Sequence, residues 1–165
     1  MTHPSTSSSP LFLRESEVRR GIELLFLAQR EIAAASDAML EREGLGRAHQ
    51  RALYFIARKP GLAISELKTL LGVTKQSLAR VLEELERRTL LERRPGLRDR
   101  RQVLLHPTKQ GAALEAELFA ALRARMAEAY SSAGPEAVGH FWDVLERLLP
   151  EDLRRKAAEL ALRDR

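Results

Sequence analysis

The chain has 165 residues, a net charge of +5 and no cysteine, which excludes disulfides, thiolate metal sites and thiol-based redox switches. Its length fits one domain, and a composition with 44% hydrophobic but only 5% aromatic residues, rich in Leu, Ala, Glu and Arg, predicts a mainly helical fold. The positive charge is local, because residues 74–109 carry ten Lys or Arg against five Asp or Glu and the rest of the chain is balanced.

The first residues differ in composition from the rest. Residues 1–10 are rich in Ser, Thr and Pro and lack the apolar core of a signal peptide. We therefore expect residues 1–14 to be a disordered tail. Because no later segment approaches about 18 uninterrupted apolar residues, we also expect a cytoplasmic protein with no membrane partner.

Residues 15–43 have the pattern of one long amphipathic helix. Leu24 and Leu27 make its apolar stripe wider than one small core needs. Such a helix is either a buried core helix or one that faces both its own domain and a partner subunit. We predict that residues 15–46 form an N-terminal dimerisation helix. The stripe consists of Val18, Ile22, Leu25, Phe26, Ile32, Ala33 and Met39.

Residues 47–109 form a predicted lobe that begins with two helices. The first covers 47–58 and is stopped by Pro60 and Gly61, and a short second helix ends at Gly72. A third helix begins directly afterwards, at Thr74. A short turn between helices with complementary apolar faces is typical of a helix-turn-helix, although plain helical bundles use similar turns.

The helix that begins at Thr74 has two chemically different faces. The Thr74 hydroxyl can cap its first turn, which fixes the start of the helix. Its outward N-terminal residues are of the types that hydrogen-bond base edges and phosphates. Leu78, Val81, Leu82 and Leu85 form the inward face, and Lys75, Gln76, Ala79, Arg80 and Glu83 form the outward face.

After this helix the pattern alternates, which predicts two strands over 90–94 and 102–106. The loop between them contains Arg98, Asp99, Arg100 and Arg101. Taken alone, such a loop is often only a solvated turn. Directly after a helix-turn-helix, however, three close arginines favour an anionic partner, and a narrow minor groove of duplex DNA is one.

Three more helices are predicted over 108–130, 136–149 and about 151–162, separated at Gly134-Pro135 and Pro150. They are too apolar to be spacers. We predict that residues 110–165 are C-terminal dimerisation helices, so that helices flank the basic lobe on both sides in sequence.

At this point the chain resembles the MarR family of winged-helix transcriptional regulators. The similarity covers about residues 15–149 and includes Ile-Ser-Glu-Leu at 64–67 and Val-Thr-Lys-Gln-Ser-Leu-Ala-Arg at 73–80. It is strongest at the wing, where Asp99, Arg100 and Arg101 are followed by Thr108 and Gly111. The runs at 44–49 and 74–78 are also similar to a proteobacterial subgroup called PetP-like.

The resemblance implies a mainly α fold, a winged helix-turn-helix with a two-stranded β wing flanked by long terminal dimerisation helices. It implies a homodimer on double-stranded DNA with a pseudo-palindromic operator. Arg101 would enter the minor groove, and Asp99 would orient the wing arginines. Family members often respond to small aromatic or phenolic ligands. For the recognition helix, the resemblance implies major-groove contacts from Thr74, Gln76, Ser77 and Arg80 and a backbone contact from Lys75.

Three residues depart from the family pattern. Thr89 occupies a position that is commonly glycine, so a positive φ there would strain its backbone. Ala63 stands where a Ser or Thr usually caps a helix, and Pro107 replaces a leucine. None of the three belongs to the predicted DNA-reading set.

The sequence indicates no catalytic site and no cofactor. The histidines, His3, His49, His106 and His140, have no ligand-like spacing, and phosphate-binding loops and nucleophile elbows are missing. His49, near Tyr54 on the same predicted helix, either lines a ligand cavity or is a partly buried structural residue.

We therefore expect a sequence-specific, dimeric DNA-binding regulator of the repressor type, and not an enzyme. Two alternatives remain open. One is an architectural DNA binder that tolerates any sequence, and the other is a winged-helix module whose basic face contacts an acidic protein.

Overall fold

The computed structural model describes residues 10–96, 99 and 101–164. Within these residues, eight helices and three short strands follow one another, with 3₁₀ turns at Leu11–Leu13 and Leu162–Asp164. This confirms a mainly α winged helix. In chain order the elements are α1 (Glu15–Ala34), α2 (Asp37–Arg42), α3 (Arg47–Arg58), β1 (Leu62–Ala63), α4 (Ile64–Leu71), α5 (Lys75–Arg87), β2 (Leu91–Pro95), β3 (Val103–Pro107), α6 (Lys109–Ala133), α7 (Pro135–Leu148) and α8 (Glu151–Ala161).

The prediction of one continuous helix over 15–43 is wrong, because the chain bends at Ala35 and Ser36 between α1 and α2. Ser36 is 1% exposed, and its Oγ lies 3.3 Å from the Ala33 carbonyl and 2.9 Å from Oε1 of Gln50. A serine that bonds back to its own helix competes with the regular backbone ladder. The buried partner on α3 therefore favours the bend at this point.

The wing belongs to a three-stranded antiparallel sheet in the order β1-β3-β2. Leu105 of β3 pairs with Leu62 on one side and Arg93 on the other. Strand β1 was not predicted from the sequence, since two residues are too few to show an alternating pattern. Both wing strands begin and end one residue later than predicted. The strands end at Pro95 and Pro107, and proline is tolerated at such strand ends.

The hydrophobic core lies in the lobe. Leu53 and Ile56 of α3 pack with leucines of α4, α5 and β3, and the first half of α6 adds Leu114 and Leu118. Leu40 of α2 joins the same core. Residues that flank the lobe on both sides, in α2 and in the first half of α6, therefore contribute to its core. By contrast, none of the described residues of α1, α7 or α8 is buried.

The end of the recognition helix α5 is joined tightly to the start of α6. A Cβ added to Gly111 would lie 1.9 Å from the Leu90 carbonyl oxygen, so only glycine fits there. Thr108 caps α6 by accepting from the Gly111 amide, and its hydroxyl donates to the Thr89 carbonyl at 2.6 Å. Thr89 itself has φ +58°, so the strain expected from a β-branched residue is present.

The last helix packs on the lobe of its own chain. Nη2 of Arg58, at the end of α3, donates to the Leu160 carbonyl of α8 at 2.8 Å. Lys59 bonds Glu66 of α4 at 2.6 Å and lies 3.9 Å from Glu159 of α8. The C-terminal residues therefore contact the helix-turn-helix.

Among the described residues, none of the helices combines the length and the apolar character that crossing a membrane requires.

Candidate nucleic-acid interface

The turn before the recognition helix is set by two residues. Gly72 ends α4 with φ +63°, a left-handed conformation that glycine adopts without strain. Thr74 is extended, and its Oγ1 accepts from the Ser77 amide at 3.1 Å and donates to the Ser77 hydroxyl at 3.0 Å. The predicted cap is therefore confirmed. Both hydroxyls face each other at the N-terminal end of α5, where the free backbone amides also lie.

The inward face of the recognition helix is fixed by packing. Leu78, Leu82 and Leu85 are all at most 1% exposed, and Val81 is partly buried against them. Ala79, predicted to lie outward, is half-buried instead. Because these leucines lock the rotation of α5 about its axis, the residues on the opposite side are forced into solvent.

The outward face carries the predicted base-reading residues. Gln76 and Arg80 are four residues apart, so they lie one above the other on the same face. Lys75, Gln76 and Arg80 are exposed, and within the described part of the chain their side chains make no hydrogen bond or ion pair. Their donors and acceptors are free for a partner. Glu83 is exposed on the same face one turn later and would repel phosphates, which limits the interface to the first half of α5.

Several other charged side chains near α5 form ion pairs with one another. The guanidinium groups of Arg87 and Arg88 bond Glu84 at 2.7 and 2.5 Å, and these hydrogen bonds lower the pKa of Glu84 to about 2. Arg93 pairs with Glu86 at 2.8 Å. Since the surplus of five already subtracts these carboxylates, the pairing leaves the net charge unchanged. It leaves Lys75, Arg80 and Arg101 as cations without a partner among the described residues.

The wing loop is organised by Asp99. Its Oδ1 accepts from the Arg101 amide at 2.9 Å, and its carbonyl accepts from the Gln102 amide at 3.0 Å. A Cβ on Gly96 would lie 2.6 Å from the same carbonyl, so the loop closes tightly on a glycine. Asp99 thus acts on Arg101 through the backbone. The Arg101 side chain is exposed, and the predicted site residues Arg98 and Arg100 lie outside the described residues.

The predicted ligand pair is found in two separate environments. Nδ1 of His49 accepts from the Gly46 amide at 3.0 Å, which caps α3. The Tyr54 ring packs edge-on against Phe55, with centroids 5.4 Å apart, and lies 6.2 Å from Phe119. A ligand role for His49 and Tyr54 stays a prediction.

An apolar cavity of about 720 Å³ that was not predicted from the sequence lies between α1, α6 and α7. Neither His49 nor Tyr54 lines it, as far as the described residues go. The wide stripe of α1 was the available signal, but the facing residues on α6 and α7 are about 100 positions away. Residues that line the cavity include Leu24, Leu27, Ile32, Met126, Tyr130, Val138 and Phe141.

The MarR family model matches residues 43–102, which begin directly after α2 and include α3, the helix-turn-helix and the wing strand β2. A curated relative, the HTH-type transcriptional regulator PetP of Rhodobacter capsulatus, is 49% identical over 145 residues, which cover 88% of this chain and 87% of that protein.

Solved structures share the fold at lower identity. A mutant of MarR from E. coli complexed with operator DNA is 24% identical with a TM-score of 0.65, covering 86% of this chain and 100% of that one. NadR in complex with 4-hydroxyphenylacetate is 22% identical with a TM-score of 0.69, covering 90% and 97% of the two chains.

Proposed function

The chain belongs to the MarR family of transcriptional regulators, and from that premise we propose that it binds a pseudo-palindromic duplex as a homodimer. Each protomer would insert α5 into the major groove and its wing into the adjacent minor groove. Two recognition helices should then lie about 34 to 36 Å apart, one helical turn of DNA.

One observation carries this proposal. A helix whose rotation is locked by buried leucines presents Gln76 and Arg80 outward with no partner inside the described chain. Free amide and guanidinium groups at four-residue spacing are suited to the hydrogen-bonding edges of bases. An architectural binder would need cations but not this pair.

The other predicted residues take supporting roles in the proposal. Lys75 would contact the phosphate backbone, while Thr74 and Ser77 at the capped end of α5 would reach the major groove beside free helix amides. Arg101 would enter the minor groove, held by the Asp99 turn, with Arg98 and Arg100 beside it.

The dimer is supported by the apolar residues outside the lobe. Phe26 is 69% exposed, Leu24 56% and Trp142 52% in one protomer. Large contiguous apolar surfaces of this kind are typical of protein interfaces. We propose that residues 15–46 and 110–165 supply the dimer contacts and that residues 47–109 form the DNA-binding lobe. Leu40 and Leu114 of the two flanking regions also pack in the core of the lobe.

A small aromatic or phenolic ligand is a further part of the proposal. The related fold of NadR holds 4-hydroxyphenylacetate. Trp142 is the single tryptophan of this chain, and its Nε1 donates to the Tyr130 hydroxyl beside the cavity. Titration with 4-hydroxyphenylacetate should quench its fluorescence and weaken DNA binding, and a titration that changes neither would contradict this part.

The central test is a fluorescence-anisotropy titration against duplex from upstream of the protein's own gene and against a scrambled duplex, at two salt concentrations. We expect a preference of about 10³-fold or more. If the dimer neutralises about eight phosphates, the log-log salt slope should be about −7. Equal binding to both duplexes would favour the architectural alternative, and no binding to either would favour the protein-contact alternative.

A further inference from the structure

The C-terminal end of the recognition helix is bonded to the two residues that directly follow α2. Arg88 follows the last residue of α5. Its Nη1 donates to the Glu43 carbonyl at 2.5 Å, and its Nη2 donates to the Gly44 carbonyl at 3.2 Å. Both carbonyls belong to the residues directly after α2, 45 and 44 positions earlier in the chain.

Arg88 is held in place for this contact. Its Nε donates to Oε1 of Glu84, one turn earlier on α5, at 2.5 Å. The low pKa of Glu84 keeps that carboxylate charged at neutral pH. On the other side, Gly44 has φ +60°, and a Cβ there would lie 3.0 Å from Nη2 of Arg88. The guanidinium thus fits between a carboxylate and a glycine turn, where its planar fork reaches three acceptors.

The other end of α2 is fixed as well. Arg47 of α3 forms a bidentate pair with Asp37, with Nε–Oδ1 and Nη2–Oδ2 distances of 2.9 and 2.6 Å. Ser36 bonds Gln50, and Leu40 is 2% exposed in the core. Only Ala35 and Ser36 separate α1 from this fixed six-residue helix, so the link through Arg88 connects the predicted dimerisation helix to the recognition helix by a short path.

We propose that Arg88 is a positioning residue that sets the distance and angle between the two recognition helices, and thereby the half-site spacing that the dimer accepts. This inference rests on the proposed function. Each added base pair moves a half-site by about 3.4 Å and rotates it by about 35°. A dimer rejects such an operator only if its recognition helices resist tilting relative to the dimerisation helices, and the Arg88 link opposes that tilt.

The neighbouring arginine provides a matched control. Arg87 bonds the same Glu84 at 2.7 Å, but its side chain is 67% exposed, and within the described residues it does not bond Glu43 or Gly44. Arg88 is 32% exposed. Removal of either guanidinium takes away one positive charge from the same end of α5, and only the Arg88 variant breaks the link.

The test begins with a duplex selected from a random library by the wild-type protein. Anisotropy is then measured on that duplex and on versions with one base pair added or removed at the centre. The affinity of the wild type should fall by about 30-fold or more with each change in spacing. The affinity of Arg88→Met should fall by about fivefold or less with each change in spacing. Arg87→Met should show the same dependence of affinity on spacing as the wild type. Arg88→Lys keeps the charge but lacks the three separate nitrogens that bond these acceptors, so it should fall between.

The outcomes separate the two proposals. Failure of the wild type to enrich any sequence would contradict the proposed function itself. A wild type that rejects altered spacing and an Arg88→Met variant that rejects it equally would overturn the role of Arg88, even if overall affinity falls. Circular dichroism establishes that each variant is folded, and if Arg88→Met is not, a wild-type spacing profile in Arg88→Lys overturns the inference in the same way.

Discussion

The lobe and the flanking helices contain similar apolar side chains, which are buried in the lobe and largely exposed on α1. In the lobe, Leu53, Leu82 and Leu105 are all at most 1% exposed, whereas on α1 Leu24 and Phe26 are more than half exposed. The lobe buries its leucines against its own chain. The flanking helices present an equally apolar surface that the protomer does not cover. We therefore propose that the lobe is complete within one protomer and that the helices beside it are completed by a second copy.

The first way to test this comparison is to disrupt the tight contact between the lobe and the start of α6. In Gly111→Ala the new methyl group would lie 1.9 Å from the Leu90 carbonyl, so the joint between α5 and α6 must open. We expect a loss of about 3 kcal/mol or more in the free energy of unfolding, measured by urea denaturation at fixed protein concentration.

Gly139→Ala is the control for this substitution. Gly139 is a helical glycine on α7, and no atom lies within 4 Å of the position of an added Cβ. Alanine should leave stability unchanged or raise it by up to about 1 kcal/mol. Equal destabilisation by the two variants would mean that the lobe is no more tightly packed than α7.

The second test disrupts the dimerisation helices and leaves the lobe intact. Phe26→Glu places a charge on the exposed apolar face of α1, where the partner would desolvate it. We expect the dimer dissociation constant to rise about 100-fold, measured by analytical ultracentrifugation, with the circular dichroism of the lobe retained. Val103→Glu, at an exposed apolar position of the wing, should leave the dissociation constant unchanged.

The third test concerns the lobe surface. Arg80→Ala should leave the free energy of unfolding within about 0.5 kcal/mol of the wild type, since the side chain has no partner in the described chain. It should weaken binding to the selected duplex by about 1 to 3 kcal/mol and reduce the preference over scrambled DNA. Lys75→Ala should instead weaken binding to both duplexes by the same factor. An equal loss of affinity for both duplexes in Arg80→Ala would contradict a role of Arg80 in base recognition.

The smallest effect is expected at Thr89. Thr89→Gly relieves a φ of +58° but removes a hydroxyl that bonds the Gln110 side chain at 2.9 Å. The backbone strain costs about 1 to 2 kcal/mol, and the exposed hydrogen bond contributes less. We therefore expect the free energy of unfolding, measured by thermal denaturation, to rise by about 0.5 to 1 kcal/mol. Thr89→Ala, which keeps the strain, should give no gain.

Local chemistry explains which parts of the fold were predictable. The bounds of α3 agree with the prediction because Gly46 and Pro60 mark its ends, and Thr74 caps α5 through a residue only three positions away. The bend at Ser36 depends on Gln50, and the Gly111 contact depends on Leu90. Such pairings between distant residues leave no periodic signal in the sequence.

The candidate site divides in the same way. Gln76 and Arg80 were predictable because helical spacing alone puts them opposite the buried leucines. The role of Arg88 was not, because it bonds backbone carbonyls of Glu43 and Gly44, and a carbonyl is the same in every residue. The neutralisation of Arg93 by Glu86 likewise requires β2 to fold back along α5.

Hydrogen exchange of the wild type and of Phe26→Glu tests the central comparison most directly, because amide protection reports local opening in each region. We expect the Phe26→Glu monomer to lose protection by about 100-fold in α1 and α7, while α3 and α5 keep the protection of the wild-type dimer. Equal loss in the lobe, or full protection of α1 in the monomer, would contradict the account that the lobe is complete alone and the flanking helices need a second copy.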